Sequence, residues 1–363
     1  MINRSTWTRQ EIERHSLDMR QFADFRQAVL PDGQRIVEAY NSSGLRFTLL
    51  PDCGLDIWAA SYNGLPLTWL SQGSPHRPDF GQTWLQHFNG GLMVTCGLTH
   101  AGPPETDPET GEFRDLHGRY TRLSARGLSA SAAWEDDTHY RLSLRAAVSE
   151  SAMFGDQLRL DRTYRLTLGE PRIELQDTVT NLNDRAVPLM ILYHFNFGFP
   201  LIREGTRLAT PARAVYPRDK AALAGIDHRE RYDAATPGYA EQVFFHHLNH
   251  DGDGETEAVL HQDDWGVSLR WDAGALPYLT QWKNTRQGMY VCGVEPGNCI
   301  PEGRNAAQES GRLQMLDPGA SMTFSIRLTV LDGPEAVQER LARVDRLRQT
   351  GTAAANCHLE DYR

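Results

Sequence analysis

The stretch LMILYHFNFGFPL, from Leu189 to Leu201, sets one titratable imidazole, His194, inside the most apolar run of the chain. Both protonation states of a histidine are accessible near neutral pH, so a histidine that opens on a cavity can pass a proton. A histidine sealed in a core must instead satisfy its ring nitrogens there, and the stretch alone leaves both readings open. Strand alternation puts His194 on one face with Asn196, opposite Tyr193, Phe195 and Phe197, which would make a polar floor for a cleft. Glu295, in MYVCGVEPGN, closes a second apolar run just before a Pro-Gly turn. Burial of a carboxyl there raises its pKa toward a range useful for proton transfer, and a solvated strand end is the equal alternative. One imidazole and one carboxyl of this kind are the ingredients of general acid–base catalysis, which needs no metal, nucleotide or covalent intermediate.

Other residues are candidates for holding a ligand. His117, in DLHGRYTRL, precedes Gly118, where the backbone can approach a ligand closely; a plain loop histidine is the simpler reading. PYLTQWKNTRQG offers Gln281, Trp282, Lys283 and Asn284, groups suited to stacking on and hydrogen-bonding a polyhydroxylated ligand. HHLNHDGDGETE, from His246 to Glu257, has the look of a metal cluster, yet it lacks the full calcium-loop ligand series, and Asp-Gly repeats are ordinary turn formers. No metal is therefore expected. Dinucleotide, P-loop, zincin and nucleophile-elbow strings are also missing, and no cofactor is expected.

The 363 residues carry 37 Lys and Arg against 47 Asp and Glu, a net charge of −10. Phosphate backbones and anionic lipid surfaces are bound through clustered cations, so nucleic acid and membrane are not expected as partners. The N-terminal MINRSTWTRQEIERHSL has no apolar signal region, and the five cysteines form no C-x-x-C pair. Both point to a reducing cytoplasm.

The elements that must position these groups are mostly strands. HYRLSLRAAV, QLRLDRTYRLTL, PRIELQDTVTNL, AVLHQDDWGVSLRWD and SMTFSIRLTVL alternate apolar with polar residues between turn-forming clusters. Amphipathic strands without intervening helices imply antiparallel sheets, each covering the apolar face of the other, so the expected fold is mainly β, a large antiparallel β-sandwich. Helical patterns bracket it: Thr8–Leu30, opened by a T-x-x-E capping signature, and the segment after Gly333, with Pro334 in its first turn. The expected organisation is a helical extension over 1–32, a sandwich over 33–332 and a C-terminal helix and tail over 333–363. Three stretches, 71–86, 99–114 and 212–240, read as long loops. An exposed strand edge or the terminal helices could join two copies as a homodimer.

FNGGLMVTCGL, LHGRYTRL, DTVTNLNDRAVPLMILYHFNFGFPL, GVEPGNCIPEG and LDPGASMTFSIRLTV follow one another in the order and rough spacing of the aldose 1-epimerases. Over roughly 33–332 the chain resembles these galactose mutarotase-like proteins. It is most similar to the branch with a GG-x-x-x-T-C-G-L string and a Y-H-x-N-x-G-x-P-L string. The resemblance implies a β-supersandwich whose open cleft takes a free sugar, and an isomerase activity on its anomers. It implies His194 as general acid on the ring oxygen, Glu295 as general base on the anomeric hydroxyl, and His117 as a sugar contact. Asn89 stands where relatives often carry an arginine before two glycines, so Arg119 is expected to share substrate recognition with Asn89, Asn196, Gln281, Trp282 and Lys283. The acid and base are expected to face each other across the pyranose, a ring's width apart and not in contact. A non-catalytic sugar-binding protein with the same cleft is the alternative. A glycosidase, which would need a second carboxylate such as Glu302 or Glu309, ranks last.

Overall fold

The computed structural model describes residues 7–73, 79 and 81–348. The alternating segments fold as strands because each has an apolar side to bury; Arg172–Asn181, for instance, alternates buried and half-buried residues along its whole length. They assemble into a twelve-stranded and an eight-stranded sheet, and every pairing within both is antiparallel. The middle of the larger sheet runs Asp56–Tyr62, Met93–Leu98, Val187–Phe197, Met289–Gly297, Tyr278–Arg286 and Gln242–Leu248. One apolar core, including Phe47, Tyr164, Leu175, Phe195, Trp271 and Phe324, fills the space between the two sheets. This is the expected mainly β sandwich.

Val187–Phe197 is buried at every position, because both faces of this central strand are covered. Ile191, Tyr193, Phe195 and Phe197 join the inter-sheet core, whereas Met190 and Leu192 belong to a second cluster with Trp84, Val94 and Ala307 on the opposite face. His194 and Asn196 therefore lie on the outer face, as alternation requires.

Beneath that strand sits a buried charge cluster. Arg162 is fully enclosed, and its five N–H groups are all used: Nε and one Nη on the two oxygens of Asp177, the others on Asp56, Thr95 and the Gly54 carbonyl, at 2.7–3.0 Å. Tyr193 donates its hydroxyl to the same Asp177 at 2.8 Å. Arg162 and Asp177 belong to the smaller sheet, Asp56, Thr95 and Tyr193 to the larger, so the cluster ties the two together.

The termini correct two expectations. Thr8 caps a helix as its signature indicates, accepting from Glu11 N–H at 3.2 Å, but that helix covers only Arg9–Glu13. Asp24–Val29 is a strand paired with Arg35–Tyr40, since Phe25 finds its apolar partner Phe47 on the sheet. Of the stretches read as loops, Ala212–Pro217 is an edge strand and Trp84–His87 a short helix with a Thr83–Gln86 capping box. Pro334–Arg348 is helical and packs through Val337, Val344 and Leu347. The tail beyond Arg348 lies outside the described residues. No helix among the described residues is long and apolar enough to cross a membrane.

Removing Arg162 would leave Asp56 and Asp177 buried without their cation. Arg162→Ala is expected to lower unfolding free energy by about 3–5 kcal/mol, read as a shift of the urea midpoint.

Candidate active site

Strand register brings the two principal candidates together. Leu192 pairs with Gly297 and Phe195 with Val294, which sets His194 directly opposite Glu295 on the neighbouring strand. Val94 flanks His194 on one side and Thr280 flanks Glu295 on the other, so Val94, His194, Glu295 and Thr280 form one row across four strands. Gly293 makes room for the acid: a Cβ there would lie 2.4 Å from Glu295 Oε1.

His194 Nε2 lies 3.2 Å from Glu295 Oε1. The expected separation by a ring's width is therefore wrong. Directly opposed residues on adjacent antiparallel strands have Cβ atoms only about 4.5–5.5 Å apart, and two side chains of this length reach each other across that gap. The residues are 6% and 2% exposed. Burial pushes the imidazole down to about 4. Burial, and secondarily Glu241, drives the carboxyl well above its ordinary range, with only partial relief from Arg218. Both shifts favour the neutral form of their group, so burial works against an ion pair here.

Aromatic rings wall the pair. Centroids of Trp282, Phe88 and His117 lie 5.6, 5.9 and 6.2 Å from that of His194. Trp84 stacks on Phe88 at 4.5 Å and meets the His117 edge at 4.9 Å, while Trp69 bridges Phe88 and Trp282. His117 holds a left-handed backbone at φ 55°, pinned by its N–H to the Gly102 carbonyl and its carbonyl to Gly97 N–H. Burial, and then the neighbouring His194, pushes its imidazole down to about 3.

Four polar atoms around this row have no hydrogen-bond partner among the described residues, His117 Nδ1, His194 Nδ1, Asn196 Oδ1 and Thr280 Oγ1, and Glu295 Oε1 has only its contact with His194. Asn196 donates its amide to the Gly91 and His194 carbonyls, which holds the side chain while its oxygen stays unpartnered. Buried polar atoms are nearly always satisfied by protein or by water, so this row offers hydrogen-bonding capacity to water or to a ligand.

The remaining candidates distribute differently. Trp282 belongs to the wall, its indole N–H donating to Glu241 at 2.9 Å. Gln281 and Lys283 do not reach the row. They alternate with Thr280 and Trp282 and point to the other side of the sheet. Gln281 meets His246 and the Arg229 carbonyl there, and Lys283 meets the His228 and Arg231 carbonyls. Asn89 lines a small cavity with Trp84, Phe88 and Val94. Arg119 lines a different cleft of about 380 Å³, to which none of Val94, His194, Glu295 and Thr280 contributes. Glu302 is held by Arg312, and Glu309 is exposed on a short helix, so neither stands as a second carboxylate beside Glu295. In the HHLNHDGDGETE segment, Asp251 accepts from the backbone of Asp253 and Glu255 and from Arg343, which makes it a turn. Sequence reasoning missed Thr280, Trp69, Trp84 and Phe88. Period two in PYLTQWKNTR would have grouped Thr280 with Trp282 and set Gln281 and Lys283 apart.

The architecture is that of the galactose mutarotase-like proteins. Within that class the chain belongs to the family described as a domain of unknown function, DUF4432, whose model matches residues 31–330. A Klebsiella pneumoniae protein assigned provisionally as an aldose 1-epimerase superposes with a TM-score of 0.83 at 27% identity, covering 92% of this chain and 89% of that one. A galactose mutarotase-like protein from Clostridium acetobutylicum (TM-score 0.60, 14% identity, 86% of this chain and 99% of that one) shares the fold. So does a galactose 1-epimerase from Lactobacillus acidophilus (TM-score 0.55, 15% identity, 86% and 99%). No curated protein matches.

An unsatisfied buried hydroxyl costs stability that an isosteric methyl does not. Thr280→Val is expected to raise the unfolding free energy of the ligand-free protein by about 1 kcal/mol, measured by thermal or urea denaturation.

Proposed function

We propose that this chain is an aldose 1-epimerase-like isomerase that binds a free sugar over the His194–Glu295 pair and interconverts its anomers. The observation that carries this reading is the convergence of unpartnered polar atoms on one aromatic-walled row, a surface matched to a ring with apolar faces and a hydroxyl-bearing edge. Similarity to the Klebsiella protein supports the same class.

Anomer exchange requires a proton to leave the C1 hydroxyl and another to reach the ring oxygen. Both oxygens are bonded to the same carbon. Two groups in contact with each other can therefore serve both, and no gap of a ring's width is needed. The allocation follows from burial: Glu295, protonated, delivers to the ring oxygen, and His194, neutral, accepts from the C1 hydroxyl. Ring opening, rotation about C1–C2 and closure on the other face complete the exchange. Opening leaves Glu295 ionised and His194 protonated, in contact at 3.2 Å, and closure restores both: the former ring oxygen returns its proton to Glu295 while His194 gives its proton to the C1 oxygen. These roles reverse the ones that the family resemblance implies.

His194→Gln and Glu295→Gln are each expected to slow exchange by at least about a hundredfold, measured by NMR saturation transfer across a panel of aldoses. Wild-type rates in both variants would remove the assignment. The near-complete burial of the pair favours a second reading, a sugar-binding protein without turnover. Binding with no accelerated exchange in the wild type would establish that one.

The protonation states fix the pH profile. His194 must be neutral, so activity is lost as pH falls through about 4, where the imidazole takes a proton. Glu295 must be protonated, so activity is lost again only when pH rises past its elevated pKa. The measurement is the exchange rate over the pH range in which far-UV circular dichroism is constant. A rate that climbs as pH falls toward 4 would make protonated His194 the acid instead.

A further inference from the structure

The pairing that sets His194 beside Glu295 also builds a second row next to theirs. Asn196 opposes Gly293, Gly293 opposes Trp282, and Trp282 opposes Val243, in line across four strands. The Arg218 N–H donates to the Val243 carbonyl at 3.0 Å, which extends the row to the residue just after the edge strand Ala212–Pro217. Gly293 permits the packing: a Cβ there would stand 2.8 Å from the Trp282 Cβ and 2.4 Å from Glu295 Oε1. Trp282 and Glu295 thus crowd the same glycine, and the indole centroid lies 5.6 Å from that of His194 at an interplanar angle of 73°.

The ring is held from its rim. Its N–H donates to one oxygen of Glu241 at 2.9 Å, and the other oxygen of Glu241 accepts from an Arg218 Nη at 3.0 Å. Arg218 in turn donates Nε to Asp219 at 2.9 Å, and Asp219 accepts from Ala222 N–H at 3.0 Å as the cap of the helix Lys220–Ala224. Apolar contacts with Trp69 and with the Val243, Phe245 and Ile300 cluster are non-directional, whereas the N–H bond fixes the rotation of the ring. The Glu241 and Arg218 side chains are 45% and 39% exposed, and an ion pair this open contributes little to folding stability. The effect of the link is therefore local. It also lies close to the acid: after burial, Glu241 does most to raise the Glu295 carboxyl, and Arg218 opposes it.

We propose that Glu241 is a positioning residue of this site: braced by Arg218, it takes the indole N–H and so keeps the Trp282 ring set in the wall of the His194–Glu295 row, where the ring meets an apolar face of the bound sugar. This rests on the sugar reading above and deepens it. Glu241 acts through Trp282 and does not itself touch the sugar. Contact between an aromatic wall and the carbons whose bonds the exchange leaves intact is equal in the ground and transition states, so its loss weakens binding and spares the rate at saturation. A residue that merely supported the fold would do the reverse, lowering the active fraction at unchanged affinity.

The test is calorimetric titration and NMR anomer exchange on the full chain with D-glucose, D-galactose, D-xylose and L-arabinose, comparing Glu241→Ala, Glu241→Gln, Trp282→Phe and the Glu241→Ala, Trp282→Phe double variant. Gln keeps an acceptor for the indole N–H, Ala removes it, and Phe keeps a ring without the N–H. Glu241→Ala is expected to weaken binding of the best aldose at least about tenfold while the exchange rate at saturation stays within about threefold of wild type. Glu241→Gln is expected to recover most of that affinity. In the Trp282→Phe background Glu241→Ala is expected to cause no further loss, the mark of a residue that acts through the indole. Thermal midpoints should match the wild type, because the link is exposed. If the wild type binds without exchange, the affinities alone decide. Wild-type affinity in Glu241→Ala, an equal loss in Glu241→Gln, or additive losses in the double variant would overturn the inference and leave the sugar reading standing. Failure of every aldose to bind the wild type would overturn both.

Discussion

The site depends on one strand, Val187–Phe197, being held immobile between two covered faces. Its inner side is fixed through Tyr193, whose hydroxyl reaches Asp177 in the opposite sheet, and Asp177 is in turn clamped by Arg162. A desolvated guanidinium with every N–H engaged tolerates little displacement, because each lost bond strands a buried charge. His194 is the next residue along that strand, so its position inherits this constraint. The register with Met289–Gly297 then leaves Glu295 no choice of neighbour.

The two faces of the strand treat buried polar groups in opposite ways. Inside, the Arg162 cluster is closed: charges are matched and donors are used. Outside, the His194 imidazole, the Asn196 carbonyl and the Thr280 hydroxyl keep atoms without partners. A core that can satisfy a five-donor guanidinium could have satisfied these as well. Leaving them open costs folding stability, and such costs persist where the exposed bonding capacity has a use. The aromatic wall enlarges the effect, since excluding water strengthens each interaction available to a bound ring.

Much of this was readable before any coordinates. Period two gave the sheets, and the alternation within LYHFNF assigned His194 and Asn196 to one face and the aromatics to the other. Asp24–Val29 misled because charges scattered among Ile12, Leu17, Phe22 and Phe25 satisfy a helical period loosely, while pairing with Arg35–Tyr40 is a long-range choice that no local pattern announces. The outward row was half visible. His194 and Glu295 stood out by chemistry, but their contact depends on register, which is fixed by pairing and not by either segment alone. Gln281 and Lys283 stood out by composition and failed on geometry. The parity of their positions sends them to the Arg229 and His228 carbonyls, where they hold a loop in place.

The contact between acid and base also changes how the chemistry should be read. A separated pair needs each group to titrate on its own, with the imidazole charged and the carboxylate ionised before the sugar arrives. In this site burial suppresses both charges, so creating that ion pair would oppose two desolvation costs at once. Under the proposed chemistry a couple that starts neutral carries those charges only while the ring is open, when carboxylate and imidazolium lie in contact and no net charge builds up in the row. Asn89 fits the same economy. An arginine at that place, beside Phe88 and within reach of the row, would add a positive field that favours ionised Glu295, whereas a neutral amide leaves the couple undisturbed.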